Sequence, residues 1–540
     1  MNTSADLEAT QEAAIGTSQG KSAAIKTGRA ISIVFFVSIA ARLLTIISQI
    51  LMASVFGTSK LMDAYVLALI IPTTIAGVLS VAVGAAVIPI FIDYRENRSE
   101  EEALRVLWSA TWLGTLVALI LTGAMIVAAP VLITLFAHHE DAVTQSLAIT
   151  LLRFLLPIML LQGLITLFGA LLNAYGRFVA SSLLPATNAI GIIVFLVLFS
   201  HSWGIYALGW GTLAGYALNL LLLMVFCLRA RLPIRPAFDW RHPAIRRIAV
   251  IAAPALLGST LAHVNILVDQ AMAALLPPGG VSGLNYAVKL VDTPTQFFYI
   301  ALSTALLPVF AMQVARRELI PLRDTFRQVV MYAAIILLPA GALLSILARP
   351  VVEILYQHGK FNDVSTNVVA GAMLLLAPSM FFVTYAFINA RVYQALQDNW
   401  TLCYVAVLSL VLNGVLDYLL MQIWGVAGIA FSTTLTYLVS AIVLIFILDR
   451  KLHGLRLPQL GLSVGKVASA AALMWLGCWF LGGVSLIGHI PLLAQICLLG
   501  AAGVLIYLVL LWGLRVREVR ELWALLRQRL PLRRQPTKAV

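Results

Sequence analysis

The stretch LVLNGVLDYLLM, residues 410–421, places Asn413 and Asp417 four residues apart, on one face of a helix, inside a long apolar run. A carboxylate at membrane depth is costly unless a cation, a proton or a set of hydrogen bonds satisfies it. A second one, Asp269, interrupts another apolar run within NILVDQAM. Both runs are expected to start inside and lead outward, and the two aspartates stand close to the outer ends at 276 and 421, so they can lie at similar depth. With the amide oxygen of Asn413 and a hydroxyl such as that of Thr433 they form an oxygen-only set. Such a set suits a hard monovalent cation or a proton, whereas soft metals call for sulfur or imidazole. The spacing fits equally well two separate aspartates, each hydrogen-bonded to its own neighbouring helices.

Three basic side chains also fall within apolar runs. Arg42, in SIAARLLTIISQ, is more than ten residues from either end of its run at 31–56, which makes snorkelling awkward and favours an internal cavity. Lys289 and Asp292, in NYAVKLVDTP, are three apart and can pair with each other or meet an anionic substrate. Arg153 stands near an outer end and reads as structural or interfacial.

The elements that must position these residues follow from composition. The chain has 540 residues, 61% of them hydrophobic and only 11% charged, which marks an all-α polytopic membrane protein. Fourteen runs approach or exceed the ~20 residues a helix needs to span hydrocarbon. They cover about 31–56, 64–92, 107–135, 146–172, 181–201, 204–228, 248–276, 286–312, 327–348, 364–390, 401–421, 426–448, 467–487 and 490–514. With the amino terminus inside, the inner segments hold 30 Lys and Arg and the outer loops three. The net charge of +13 therefore orients the chain in a membrane and does not indicate nucleic acid. Both termini are expected in the cytoplasm, and residues 1–30, lacking an apolar core and cleavage site, read as a disordered tail.

The sequence repeats itself. APVLITLF at 129–136 returns as RPVVEILY at 349–356, and LLPIMLL around Pro157 returns as LAPSMFF around Pro378. VIPIF around Pro89 returns as LLPVF around Pro308, and WGIYALGWGTLAGY from Trp203 returns as WGVAGIAFSTTLTY from Trp424. The offset is about 220 residues throughout and carries six spans, an even number, so the two halves share orientation. The expected organisation is an N-lobe over 31–228, a basic cytoplasmic linker over 229–247 and a C-lobe over 248–448. A second linker at 449–466, two additional helices at 467–514 and a basic tail at 515–540 complete the chain. A cavity between two six-helix lobes and rocking alternating access are the expected consequence.

Longer motifs resemble the MurJ/MviN lipid II flippases of the multidrug/oligosaccharidyl-lipid/polysaccharide exporter superfamily. VFGTSKLMDAYVLALIIP is similar to that family's entry to its second helix, and LRFLLPIMLLQGLITLFGALLNAYGRFVASSLLPATN follows its fourth and fifth. VDQAMAALLPPGGVSGLNYAVKL and LYQHGKF resemble two further signatures, so the similarity covers roughly residues 30–515. The resemblance implies a flippase for a polyprenyl-diphosphate-linked glycan in the bacterial inner membrane, with no enzyme activity, working as a monomer without ATP or a tightly bound cofactor. It implies sodium as coupling ion, held by Asp269, Asn413, Asp417, Thr433 and the carbonyl of Ile429. It also implies a substrate-contacting set of Arg42, Ser48, Gln49, Asp63, Asn285 and Lys289, and a groove for the lipid tail on the last two helices. Ser48 and Gln49 occupy positions where the family carries an Arg-Asp pair, the run TTIAGVLSVAVG lacks its arginines, and Lys289 replaces an arginine. Lysine offers a point charge where arginine offers a planar fork, so the cargo can be lipid II or a related exopolysaccharide repeat unit.

Other classes fit less well. A drug or small-cation antiporter of the same superfamily would line its cavity with acids, against Arg42 and Lys289. A membrane glycan polymerase or ligase would place catalytic groups in a large outer loop, and here the outer loops are short. GLSVGKVAS at 461–469 lacks the first glycine of a phosphate-binding loop at the right spacing, and the four cysteines show no metal spacing or disulfide framework.

Overall fold

The computed structural model describes residues 37–136, 141–177, 183–232, 238–452, 454–483 and 490–514. The tails expected over 1–30 and 515–540 lie outside them. Twelve described helices are long and apolar enough to cross a membrane. In chain order the first seven are α1 (Val37–Phe56), α2 (Lys60–Asn97), α3 (Glu100–Phe136), α4 (Ala142–Ala174), α5 (Leu184–Trp203), α6 (Ile205–Arg229) and α7 (Pro243–Ala273). Then come α8 (Gly280–Ala315), α9 (Leu319–Ile346), the short α10 (Ala348–Tyr356) and the pair α11 (Asp363–Leu376) and α12 (Ser379–Ala395). The chain continues with α13 (Asn399–Trp424), α14 (Val426–Leu452), α15 (Leu457–Gly482) and α16 (Leu492–Gly513). The bent pair α11–α12 accounts for a thirteenth span. The remaining expected run, 286–312, falls within the continuous 36 residues of α8, an architecture compatible with fourteen spans. Within the segment read as a linker over 449–466, residues 449–452 and 457–466 are helical, because α14 runs on to Leu452 and Pro458 opens α15 in its first turn.

Many large apolar side chains face outward, Trp512 at 84% and Val127 at 79% exposure among them, as lipid-facing residues do. The chain divides into two compact units. The first holds the described residues up to Met52, with Leu67–Thr134 and Gln145–Ser259; the second holds Ala53–Val66, Leu135–Thr144 and the described residues from Thr260 onward. The first unit is cored by Phe91, Leu107, Trp108, Phe168 and Leu172, with the Trp108 and Phe168 rings edge to face at 5.8 Å. In the second, Tyr286, Tyr356 and Phe361 form a buried aromatic knot with centroids 5.2–5.8 Å apart.

The repeat is visible in backbone angles. Pro157 breaks α4 at φ −56°, ψ −17°, and Pro378 separates α11 from α12 at φ −60°, ψ −21°. Gly204 joins α5 to α6 at φ 54°, ψ −131°, and Gly425 joins α13 to α14 at φ 58°, ψ −131°. Only glycine adopts that region without strain, so the two halves share their turns as well as their letters.

Candidate functional site

α7, α13 and α14 bring the predicted oxygen set together within the second unit. The Asn413 side-chain amide donates to Asp269 Oδ1 in a short contact and to Asp417 Oδ2 at 2.9 Å. Thr433 Oγ1 donates to Asp269 Oδ2 at 3.5 Å and to the Ile429 carbonyl at 3.1 Å. Ser432 completes the cluster: its hydroxyl donates to Asp417 Oδ1 in a short contact and to Ile429 O at 2.9 Å. Asp417, Ile429 and Ser432 are fully buried, Asn413 is 1% exposed, and Asp269 and Thr433 are half-buried, so Asp269 forms the accessible wall.

Why these helices converge is local. Gly425 reverses the chain between α13 and α14 and sets them side by side, with Asp417 eight residues before the turn and Ile429 four after it. Four-residue spacing then stacks Asn413 and Asp417 on the face that α14 meets. Residue type alone did not single out Ser432, although the run Ser432-Thr433-Thr434 was visible beside the chosen Thr433. With Ile429 three residues earlier, a second hydroxyl on the same turn was the available signal.

Neither carboxylate forms an ion pair with a basic side chain among the described residues. Two negative charges removed from water without a counter-charge cost several kcal/mol each, of the order known for buried ions. The amide NH₂ of Asn413, lodged between them, stands where a cation would be drawn. An asparagine amide can present oxygen as readily as nitrogen once it is turned over. The donor set then consists of two carboxylates, an amide oxygen, a carbonyl and two hydroxyls, which fits a hard monovalent cation. Among the described residues no group of three or more His, Cys, Asp or Glu is placed to hold a metal, so a sulfur- or imidazole-bound ion has no other centre there.

The remaining predicted residues fall in different settings. Asp63 is 1% exposed, and its oxygens accept from the backbone N–H of Gly279 at 2.6 Å and of Ser282 at 2.7 Å, so it caps the amino terminus of α8. Around it, Lys360 N donates to Ser54 O at 2.8 Å, and the hydroxyls of Thr58 and Ser365 meet at 2.7 Å. The turn between α1 and α2 is thereby laced to the α8 start and to the α10–α11 turn. Lys289 and Asp292 are both exposed, Asn285 and Arg42 half-buried. Ser48 is 1% exposed and donates to its own helix at Thr45 O, 2.7 Å away, while Gln49 keeps a buried side-chain oxygen without a partner among the described residues. Arg153 donates to the Ile126 carbonyl at 3.2 Å, tying α4 to α3.

Known proteins are similar to this chain in sequence and in architecture. The sequence profile described as "Lipid II flippase MurJ" matches residues 52–494. A probable lipid II flippase MurJ of Synechocystis sp. is 26% identical over 463 residues, spanning 83% of this chain and 86% of its own. The Vibrio cholerae counterpart is 25% identical over 523 residues, spanning 92% and 97%. Among solved structures, a lipid II flippase MurJ in an inward closed conformation superposes with a TM-score of 0.70 at 19% identity, covering 88% of this chain and 97% of that one. An inward-facing multidrug resistance MATE family transporter of the MOP superfamily reaches 0.65 at 15% identity, covering 78% and 98%.

Proposed function

This chain belongs to the lipid II flippase MurJ family, and from that premise we propose that it moves a polyprenyl-diphosphate-linked glycan across the bacterial inner membrane. The relatives' shared name supports the cargo class, and the multi-pass helical architecture supports transport over bond-making chemistry. Both termini face the cytoplasm in this reading, as the 30-to-three distribution of basic residues favours. Sodium, bound by Asp269, Asn413, Asp417, Ile429, Ser432 and Thr433, is the coupling ion. The observation that carries the coupling is the pair of carboxylates, Asp417 buried and Asp269 half-buried, with no basic partner among the described residues. The protein acts as a monomer and takes no energy from ATP.

Arg42 and Lys289 each serve as a cationic contact for the diphosphate. Ser48, where the family resemblance implies an arginine, donates its hydroxyl into its own helix and offers no cation. That favours a second cargo, an exopolysaccharide repeat unit on the same lipid carrier, over lipid II alone. The deciding experiment replaces an essential lipid II flippase with this chain. Growth supports lipid II as cargo. Arrest despite a well-expressed protein, with exopolysaccharide lost from the chain's own knockout, assigns the repeat unit; arrest with exopolysaccharide intact removes both.

A further inference from the structure

A polar seam continues from the cation site along the α13–α14 interface, and nothing in the six-residue site accounts for it. On α13, Ser409 stands four residues before Asn413 and eight before Asp417, on the same face. On α14, Thr436 and Ser440 follow Ser432 at the same four-residue steps. The two rows meet: the Ser409 and Ser440 hydroxyls lie 2.7 Å apart, one turn from the Asn413 amide. Ser440 is 6% exposed and Thr436 3%, in the interior of the helix pair.

Thr436 is the telling residue. A buried threonine in a helix ordinarily turns its hydroxyl onto the carbonyl four residues back, as Ser440, Ser409, Thr433 and Thr434 all do. Thr436 Oγ1 is buried and has no partner among the described residues. It lies between Ser432, which touches Asp417, and Ser440, which touches Ser409. An unsatisfied buried hydroxyl is a standing cost unless it serves a guest. Beyond the Ser409–Ser440 contact the seam closes on Val405 and Leu444, four residues further along each helix and 6% and 4% exposed.

The first unit supplies an internal control. The repeat offset of 221 places Asn188, Ile192 and Leu196 opposite Ser409, Asn413 and Asp417, and Gly211, Gly215 and Asn219 opposite Ser432, Thr436 and Ser440. There the row is interrupted by aliphatic residues, and the glycines let α5 and α6 approach so closely that a Cβ on Gly211 would stand 2.9 Å from Gly191 O. The continuous row of oxygens is thus peculiar to the half that holds the two aspartates.

We propose that Ser409, Thr436 and Ser440 form a transit station for the monovalent cation, one helical turn from the Asp269–Asp417 site toward the start of α13, held shut by Val405 and Leu444. The proposal rests on the reading of that site as a cation site and adds the route by which the ion leaves it. The cation passes with its oxygen shell exchanged group by group: carboxylate and amide oxygens on one side, three hydroxyls on the other. In the proposed orientation the start of α13 is cytoplasmic, so the station lies on the release path. It carries no charge of its own, so it holds the ion only weakly, as a point of transit requires.

The test measures radioactive sodium release from the full-length protein in proteoliposomes, alongside sodium-dependent thermal stabilisation. Thr436→Val keeps the shape and removes only the free hydroxyl. The expected result is unchanged sodium stabilisation with release slowed about tenfold, restored by Thr436→Ser; Ser409→Ala should act in the same direction. A purely structural role predicts a neutral or more stable Thr436→Val protein with wild-type release, and that outcome overturns the station while leaving the cation site standing. Absence of any sodium stabilisation in the wild-type protein overturns the cation site and the station together.

Discussion

Asn413 on α13 reaches Asp269 on α7, 144 residues earlier in the chain, with the same amide that holds Asp417. One neutral side chain thus bridges two carboxylates that would otherwise face each other without a positive charge among the described residues. The sign of a substitution follows. Asp417→Asn removes one of two like charges and keeps the shape, so in sodium-free buffer the protein should be more stable than wild type, by about 1–3 kcal/mol. In sodium the order should reverse, because the wild type gains bound ion and the variant does not. Thermal melts with and without sodium check both signs; a variant that still responds to sodium removes the carboxylate from the site.

The turn that closes α1 and the one that follows α10 interlock through two glycines. Gly57 has φ +60° and Gly359 φ +61°. A Cβ on Gly57 would stand 2.7 Å from Lys360 O, and one on Gly359 would press on Ser54 O. Gly57→Ala therefore combines left-handed strain of about 1–2 kcal/mol with displacement of the Lys360 strap. Gly176→Ala is the control: its φ of +74° carries the same strain, but no atom of the described residues stands within 4 Å of its Cβ. Gly57→Ala should lose clearly more stability than Gly176→Ala in a thermal melt; equal losses would show that the interlock contributes nothing.

The sequence made the helices legible because a membrane demands long apolar runs, and it made the repeat legible through Pro157, Pro378, Gly204 and Gly425, whose backbone roles allow few substitutes. The cluster of Asp269, Asn413, Asp417 and Thr433 was legible for a different reason. Acidic residues within apolar runs stand out, and their distance from the run ends gives depth. Ser432 was hidden because a serine in a membrane helix ordinarily satisfies itself against its own backbone, and only the Asp417 contact distinguishes it. Asp63 was hidden in the opposite way. Its motif marked it as a residue of consequence, but its partners, two backbone N–H groups 216 and 219 residues away, leave no trace in side-chain identity.

Asp398, the cap of α13, offers a pH test outside the membrane-spanning segments. Partial burial pushes its carboxyl up, but Lys451 and the hydroxyl and N–H of Thr401 together hold it below the ordinary carboxylate value. A depressed folded-state value contributes stability that is full above the unfolded carboxylate value, near pH 4, and lost as pH falls through the lower folded one. The ion pair is partly exposed, so the effect is small, below about 1 kcal/mol. Asp398→Asn should melt slightly below wild type at pH 7 and converge with it near pH 3. A constant gap across that range would locate the residue's contribution in capping alone.

Lys289 separates the two cargo readings by chemistry. As a diphosphate clamp it supplies one mobile charge and no planar fork. Lys289→Ala should lower transport of the lipid-linked glycan roughly tenfold or more in a flipping assay with reconstituted protein. Lys289→Arg should keep transport, because the charge stays and the fork adds a second hydrogen bond to phosphate. If lipid II is the preferred cargo, the arginine variant should also improve growth when the chain replaces an essential lipid II flippase. Equal transport by Lys289→Ala and wild type would show that the exposed lysine touches no phosphate, and Arg42 would be left as the charge to test.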